Sequence, residues 1–287
     1  MSSREQQVSW VAQAAAVYVT TDRVVRVRGD DARSWLNGQI TNDVRTLAGD
    51  HAVYALTLTA KGRVISDLWA LDDAPGMALV LPEARASAAL ERFDKHIIME
   101  DVELEPAEVR VITVQGPRAS EVVEGLGVRR YACARLTEGF DVWDADLAVL
   151  TARATTLGGG VLDAEGWAAA HLALGVPRVG VDFGDDTYPQ EAGLRRALSF
   201  GKGCYLGQEV VYMLENRGQL ARRLVQLEAP GAEPGSEITD EAGKKLGSLT
   251  SAASPFALGL VKRSHAEPGQ TVLVGGSPVR VRTVVGA

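Results

Sequence analysis

Two stretches of this chain carry the same order of apolar and polar positions. The run from Arg23 to Arg28 is β-rich and is followed by Gly29-Asp30-Asp31. Ala32, Trp35, Leu36 and Gln39 then fall at i, i+3, i+4 and i+7, which is one face of a helix. The run from Glu108 to Gln115, the turn Gly116-Pro117-Arg118, and Ala119, Val122, Val123 and Leu126 repeat that order. Gly116 lies 87 residues after Gly29. Asp30 or Asp31 can cap the first helix, and Pro117 suits the first turn of the second. The pattern predicts a duplicated strand-turn-helix unit. The competing reading is that any strand-turn-helix segment looks like this.

Between the copies, Tyr54 to Leu58 and Val64 to Leu71 read as strands joined by a turn at Ala60-Lys61-Gly62. Met77 to Leu81 is a further strand, and Glu83 to His96 a helix with Ala86, Leu90, Phe93 and Ile97 on one face. After the second copy, Gly139–Trp143 and Ala148–Thr151 read as strands. Gly158-Gly159-Gly160 reads as a turn, and Glu165 to Leu174 as a helix ended by Gly175 and Pro177. From Leu224 onward the character changes. Short β-rich pieces alternate with Gly/Pro turns, as in a small β-barrel or sandwich.

The expected fold class is α+β: a pseudo-duplicated body of strand-turn-helix units with antiparallel sheets, plus a C-terminal β-barrel. Residues 1–107 form the expected first unit, 108–222 the second, carrying the cysteine motif, and 223–287 the barrel, with the boundary near Gln219–Arg223. Interleaving of the first two units is allowed.

A chain of 287 residues can bury a substantial core. Its net charge of −7 argues against a broad nucleic-acid footprint, although a local basic patch survives that argument. Cys133 and Cys204 lie far apart, so no disulfide framework is implied. His51, His96, His171 and His265 show no metal-ligand spacing, and no intrinsic metal site is expected. No apolar run reaches the ~20 residues that span a bilayer, and Met1 to Thr20 does not read as a signal peptide. These features make the cytoplasm the default compartment.

Gly201-Lys202-Gly203-Cys204-Tyr205-Leu206-Gly207-Gln208-Glu209 is the densest group of chemically capable residues. An ammonium beside a thiol favours thiolate, the form that attacks, binds metal or exchanges disulfides. The plainer reading is a small buried cysteine in a glycine-rich turn. Asp67 shares a strand face with Ile65, Trp69 and Leu71. A carboxyl there is either desolvated, which suits a general acid or base, or sits at a sheet edge, wetted or paired with Arg63.

This cysteine run resembles the signature of the YgfZ-type folate-binding proteins, members of the aminomethyltransferase (glycine-cleavage T-protein) superfamily. Trp35 to Val44, Lys61 to Val64, and Gly247 to Ser251 followed by Ser254-Pro255 are similar to further segments of that family. The resemblance runs from about Val24 to Val284. It implies the fold above, arranged around a central opening, and a monomer. It implies tetrahydrofolate or a derivative as cofactor, a role in assembly or repair of iron–sulfur clusters, and links to one-carbon chemistry and tRNA modification. The implied partners are folate and iron–sulfur proteins or their assembly factors, with neither nucleic acid nor membrane.

By position, Asp67 matches the aspartate that serves the folate-dependent step in the related aminomethyltransferases. Catalytic roles fall on Asp67, Cys204 and Lys202, and cofactor contacts on Asp67, Glu191, Tyr205, Gln208 and Glu209. Glu191 reads equally as an early helix residue favouring the macrodipole. Where the family carries Arg-Leu-Glu-Ala-Gly, this chain has His171-Leu172-Ala173-Leu174-Gly175. A bidentate arginine clamp is thereby lost, and the plain reading of His171 is a helix-surface residue. Arg217, Arg222 and Arg223 form a basic cluster that could receive a glutamate tail. A folate-dependent aminomethyl or one-carbon transferase using Asp67, and a docking scaffold without folate, are the alternatives.

Overall fold

The computed structural model describes residues 2–218 and 220–286. The chain divides into two compact units. The first holds residues 1–57, 65–170 and 197–206, and the second holds 58–64, 171–196 and 207–287.

The first unit opens with α1 (Arg4–Gln13), β1 (Ala16–Val19), β2 (Arg23–Arg28) and α2 (Ala32–Gln39). Then come β3 (Ala52–Leu58), β4 (Val64–Asp73), β5 (Gly76–Leu81), α3 (Glu83–Asp94) and β6 (Glu103–Ala107). The second copy supplies β7 (Val111–Gln115), α4 (Ala119–Val123), β8 (Arg130–Ala132), β9 (Gly139–Trp143), α5 (Leu147–Thr156), β10 (Gly160–Val161) and α6 (Ala164–Leu174). Two five-stranded sheets result, in the orders β3-β4-β5-β2-β6 and β10-β1-β7-β9-β8.

The repeats exchange strands. β1 precedes β2 in the chain but pairs with β7, Ala16 opposite Gln115 and Val19 opposite Ile112. β6 precedes β7 but pairs with β2, Arg28 opposite Glu103 and Val24 opposite Ala107. The two turn glycines show the same reciprocity. Gly29 (φ 103°) lies so close to the carbonyl of Asp101 that a Cβ would collide with it, and Gly116 (φ 127°) is pressed the same way on the carbonyl of Ala14. Both backbones sit where only glycine is at ease.

Each sheet covers one face with helices. Trp35, Leu36 and Phe93 of α2 and α3 pack on Leu68, Ala70 and Leu79 of the first sheet. Val122, Val123 and Leu150 of α4 and α5 pack on Ile112, Val114 and Val142 of the second. The opposite faces meet in a separate apolar layer containing Trp69, Leu71, Val80, Tyr131 and Trp143.

Several expectations change. Ala148–Thr151 is not a strand but part of α5. The Asp146 side chain accepts the Ala148 N–H at 2.8 Å and caps the helix, and Leu150 and Ala154 are buried at i, i+4 spacing. A four-residue apolar run fits either period, and the cap decides. The second repeated helix stops at Val123, with Glu124 extended and Gly125 at positive φ, so Leu126 packs from outside it. Glu108 to Arg110 is the crossover into β7 rather than part of it. Gly160 joins a strand beside β1 instead of completing a turn.

In the second unit, α7 (Gln208–Arg217) precedes a closed barrel of β11 (Arg222–Glu228), β12 (Glu237–Thr239), β13 (Lys245–Ala253), β14 (Phe256–Lys262), β15 (Thr271–Val274) and β16 (Ser277–Val284). Around the barrel the order is β11-β14-β13-β12-β15-β16. Val225, Leu227, Ile238, Leu249, Val272 and Val281 fill the interior. Closure removes exposed strand edges, which is how so short a set of strands holds together.

Candidate functional site

Asp67 lies in β4, on the face that carries Trp69 and Leu71 into the layer between the two sheets. The residue is half-buried, but Oδ1 is shielded from solvent and meets no donor. Oδ2 accepts one hydrogen bond, from the Tyr54 hydroxyl at 2.7 Å. Tyr54 is held by its ring, 5.0 Å from that of Trp69. Desolvation pushes the Asp67 carboxyl up to about 6, opposed by the Tyr54 hydrogen bond and reinforced by the nearby Asp22 charge. A buried acceptor whose lone pairs meet no donor costs ~1–3 kcal/mol. It titrates close to neutral pH, which suits a proton-transfer group. Of the two sequence readings, the desolvated one describes it. Arg63 bonds elsewhere, to the Asp186 carbonyl at 2.5 Å.

Beside it lies a charged cluster that the sequence pattern did not reveal. Arg135 forks onto Asp141, Nε to Oδ1 at 2.8 Å and Nη2 to Oδ2 at 2.6 Å. Its Nη2 also stands 2.8 Å from Oδ2 of Asp22, in the crossover between β1 and β2. Burial pushes the Asp22 carboxyl up, against the pull of Arg135. Cys133 is sealed in the same layer, and burial with the Asp141 charge pushes its thiol well above the ordinary range. The only sequence signal was the scatter of Asp22, Arg135 and Asp141 across three segments that no period links.

The cysteine loop is tied to the end of α2. Lys202 is buried, and its Nζ donates to the carbonyls of Asn37, Ile40 and Asn42 at 2.5, 2.7 and 2.8 Å. All three ammonium protons serve carbonyls at a helix C-terminus, where positive charge is favoured. None is left to donate to Cys204. Burial lowers the Lys202 ammonium to about 8. Cys204 itself is exposed, not a buried turn cysteine. Tyr205 is buried, with its ring centroid 5.3 Å from Lys202 Nζ.

Thr41 completes the dock. Its hydroxyl donates to the Ala197 carbonyl at 2.6 Å and accepts the Leu56 N–H at 2.9 Å. Asn42 Nδ2 donates to the Tyr54 carbonyl at 2.9 Å. The structure therefore links Lys202 to Asp67 through Asn42 and Tyr54. Asn42 and Tyr54 are the residues that sequence reasoning had not joined to the site.

The other expected contacts belong to the second unit or to its border. Glu191 is buried and accepts four hydrogen bonds. It takes Arg222 at 3.2 and 3.1 Å, Arg63 at 3.5 Å and the Tyr188 N–H at 3.1 Å. It lies in a turn rather than a helix, so the macrodipole reading does not hold. Gln208 and Glu209 form the first turn of α7, Gln208 half-buried and Glu209 exposed. His171 is buried, not on the helix surface, with Nδ1 3.0 Å from the Val176 carbonyl. Arg222 is held by Glu191 and Asp186, while the side chain of Arg217 lies outside the described residues. Among the described residues, no group of three or more His, Cys, Asp or Glu is placed to hold a metal ion. Among the described residues, no helix is long and apolar enough to cross a membrane.

Residues 2–159, which carry Asp67, Tyr54 and the Arg135 cluster, match the family described as GCVT N-terminal domain. This chain belongs to the GCVT family. Residues 222–284 match the CAF17 C-terminal beta-barrel domain. The GCVT assignment agrees with the solved glycine cleavage system aminomethyltransferase T of Bartonella henselae, at TM-score 0.82 and 18% identity over 98% of this chain and 88% of that one. The tRNA-modifying protein YgfZ of Vibrio atlanticus is 27% identical, covering 72% of this chain and 67% of the relative. An aminomethyltransferase of Cutibacterium acnes is 28% identical, covering 87% and 80%. The chain spans 66–67% of the length of several curated relatives. Within this GCVT member, the cysteine loop lies outside both matched segments.

Proposed function

We propose that this protein binds tetrahydrofolate or a derivative and acts in the cytoplasm in assembly or repair of iron–sulfur clusters in client proteins. The observation that carries the folate reading is Oδ1 of Asp67, a buried acceptor without a donor. An N–H group of a reduced pterin fills that deficit, and the cofactor would bring one-carbon chemistry to the site. Asp67 would accept the N–H, with Tyr54 fixing its orientation. Glu191 already accepts from Arg63, Arg222 and the Tyr188 N–H and serves the fold. The exposed Cys204 is available as nucleophile or transient ligand, on a loop whose shape Lys202 and Tyr205 maintain. Relatives named tRNA-modifying proteins support placing client enzymes in tRNA modification.

Calorimetry with reduced folate tests the first half. Wild type should bind near physiological concentration, and Asp67→Asn should bind at least tenfold more weakly. Absence of binding by wild type would leave only the docking-scaffold reading. For the second half, Cys204→Ala should lower iron–sulfur enzyme activity in cells while the protein stays folded; unchanged activity would remove the thiol from the proposal. A second reading, folate-dependent aminomethyl transfer, is favoured by the Asp67 carboxyl near 6. Turnover in an aminomethyl-transfer assay that is lost in Asp67→Asn would select it.

A further inference from the structure

A cleft of ≈ 650 Å³ opens at one end of the barrel, where the start of β11, the start of β13 and the end of β14 meet. Arg222, Lys245, Lys262 and Arg263 line it together with Ala221 and Leu246, and no carboxylate is among its lining residues. This is a local excess of positive charge on a chain whose net charge is −7.

The four cations are not equally neutralised. Arg222 is paired with Glu191 and Asp186. Lys245 meets Glu237 at 2.8 Å in a solvent-exposed pair, the kind that contributes little. Lys262 donates to the Lys245 carbonyl at 3.0 Å, and Arg263 donates to the Gly218 carbonyl. Among the described residues, Lys262 and Arg263 therefore bond only to neutral backbone.

The strand register adds an independent observation. Arg222 and Lys262 are direct partners across β11 and β14. Like charges directly opposite each other in an antiparallel pair destabilise it. Glu191 and Asp186 already offset the Arg222 charge, so among the described residues the register leaves the Lys262 ammonium as the uncompensated charge of this pair at the cleft wall.

We propose that this cleft binds phosphate groups, a site separate from Asp67 and independent of the folate reading. An arginine fork and a lysine point charge are the standard donors to phosphate oxygens. The volume falls in the range of small-ligand sites and exceeds what one phosphate fills. No aromatic side chain lines it, so bases have nothing to stack on. Recognition is of phosphate and not of base. Two sources offer that chemistry: a small phosphorylated metabolite, or the phosphodiester backbone of single-stranded RNA.

The test titrates the full chain with pyrophosphate, with a labelled 12-nucleotide single-stranded RNA and with tri-glutamate, at low and at physiological salt. Either phosphate probe should bind, the RNA with Kd of about 10⁻⁵ M at physiological salt. RNA binding that pyrophosphate does not displace identifies the nucleic-acid source; pyrophosphate binding without RNA binding identifies the metabolite. Lys262→Ala and Arg263→Ala should each weaken binding about tenfold. For RNA, each should also lower the slope of log affinity against log salt by about 0.7. Lys95→Ala, elsewhere on the surface, should change nothing. Lys262→Thr should weaken binding to the same extent as Lys262→Ala. Binding of tri-glutamate alone, binding of none of the probes, or phosphate binding indifferent to Lys262 and Arg263 would each overturn the proposal.

Discussion

Two carboxylates in this molecule, the half-buried Asp67 and the buried Glu191, were equal candidates for cofactor contact and are opposites in structure. Glu191 receives two guanidinium groups and a backbone N–H. Asp67 receives one phenol and leaves an oxygen unmatched. Burial alone does not mark a functional group. What separates them is whether the fold itself satisfies the charge: a saturated carboxylate holds segments together, and a half-satisfied one waits for a donor. The cysteine loop repeats the contrast, with Lys202 spent on three carbonyls and Cys204 left in solvent.

Four substitutions break or sharpen this contrast. Glu191→Ala strands Arg63 and Arg222 and should cost about 3–5 kcal/mol, read as a lower midpoint in denaturant; an unchanged midpoint would remove its role as a keystone. Lys202→Met leaves three helix-end carbonyls without their donor and should cost about 2–3 kcal/mol. Under folded conditions, alkylation of Cys204 should keep its wild-type rate within about twofold, since no Lys202 proton reaches the thiol. A tenfold slower rate would restore the activating role.

Asp67→Asn should move the other way. With the folded carboxyl at about 6 and an unfolded one near 4, the folded state holds the extra proton between roughly pH 4 and 6. Stability therefore falls as pH rises through that window. At pH 7.5 the variant should be more stable than wild type by about 2 kcal/mol, and by pH ~3.5 the difference should vanish. A destabilised variant at pH 7.5 would mean that the charge is already satisfied. Tyr54→Phe should have the smallest effect, about 1 kcal/mol. It should also raise the Asp67 pKa further, visible by carboxyl ¹³C NMR; a lowered value would contradict the hydrogen bond's role.

Much of this was legible in the residues. The period of Ala32, Trp35 and Leu36 gave α2, and period two along β4 put Asp67 on the correct face. The barrel announced itself through short β runs between Gly/Pro turns, although β12 was too short to register. The misreadings have physical causes. Ala148–Thr151 is four residues long, and only the Asp146 cap separates helix from strand there. Lys202 lies two residues from Cys204 in sequence, but its ammonium is spent on carbonyls at the end of α2. Asp22, Arg135 and Asp141 converge through sheet pairing, which no local period encodes. Glu191 looked available because its arginine partners, Arg63 and Arg222, lie 128 and 31 residues away.

The exchange of β1 and β6 bears on how this protein can be cut. Removing the chain through Val19 would spare the sheet that begins four residues later. It would instead open the flank of β7, about ninety residues downstream, and leave β10 without a neighbour. Neither repeat is separable from the other, so a deletion series should report damage in the half that was left intact.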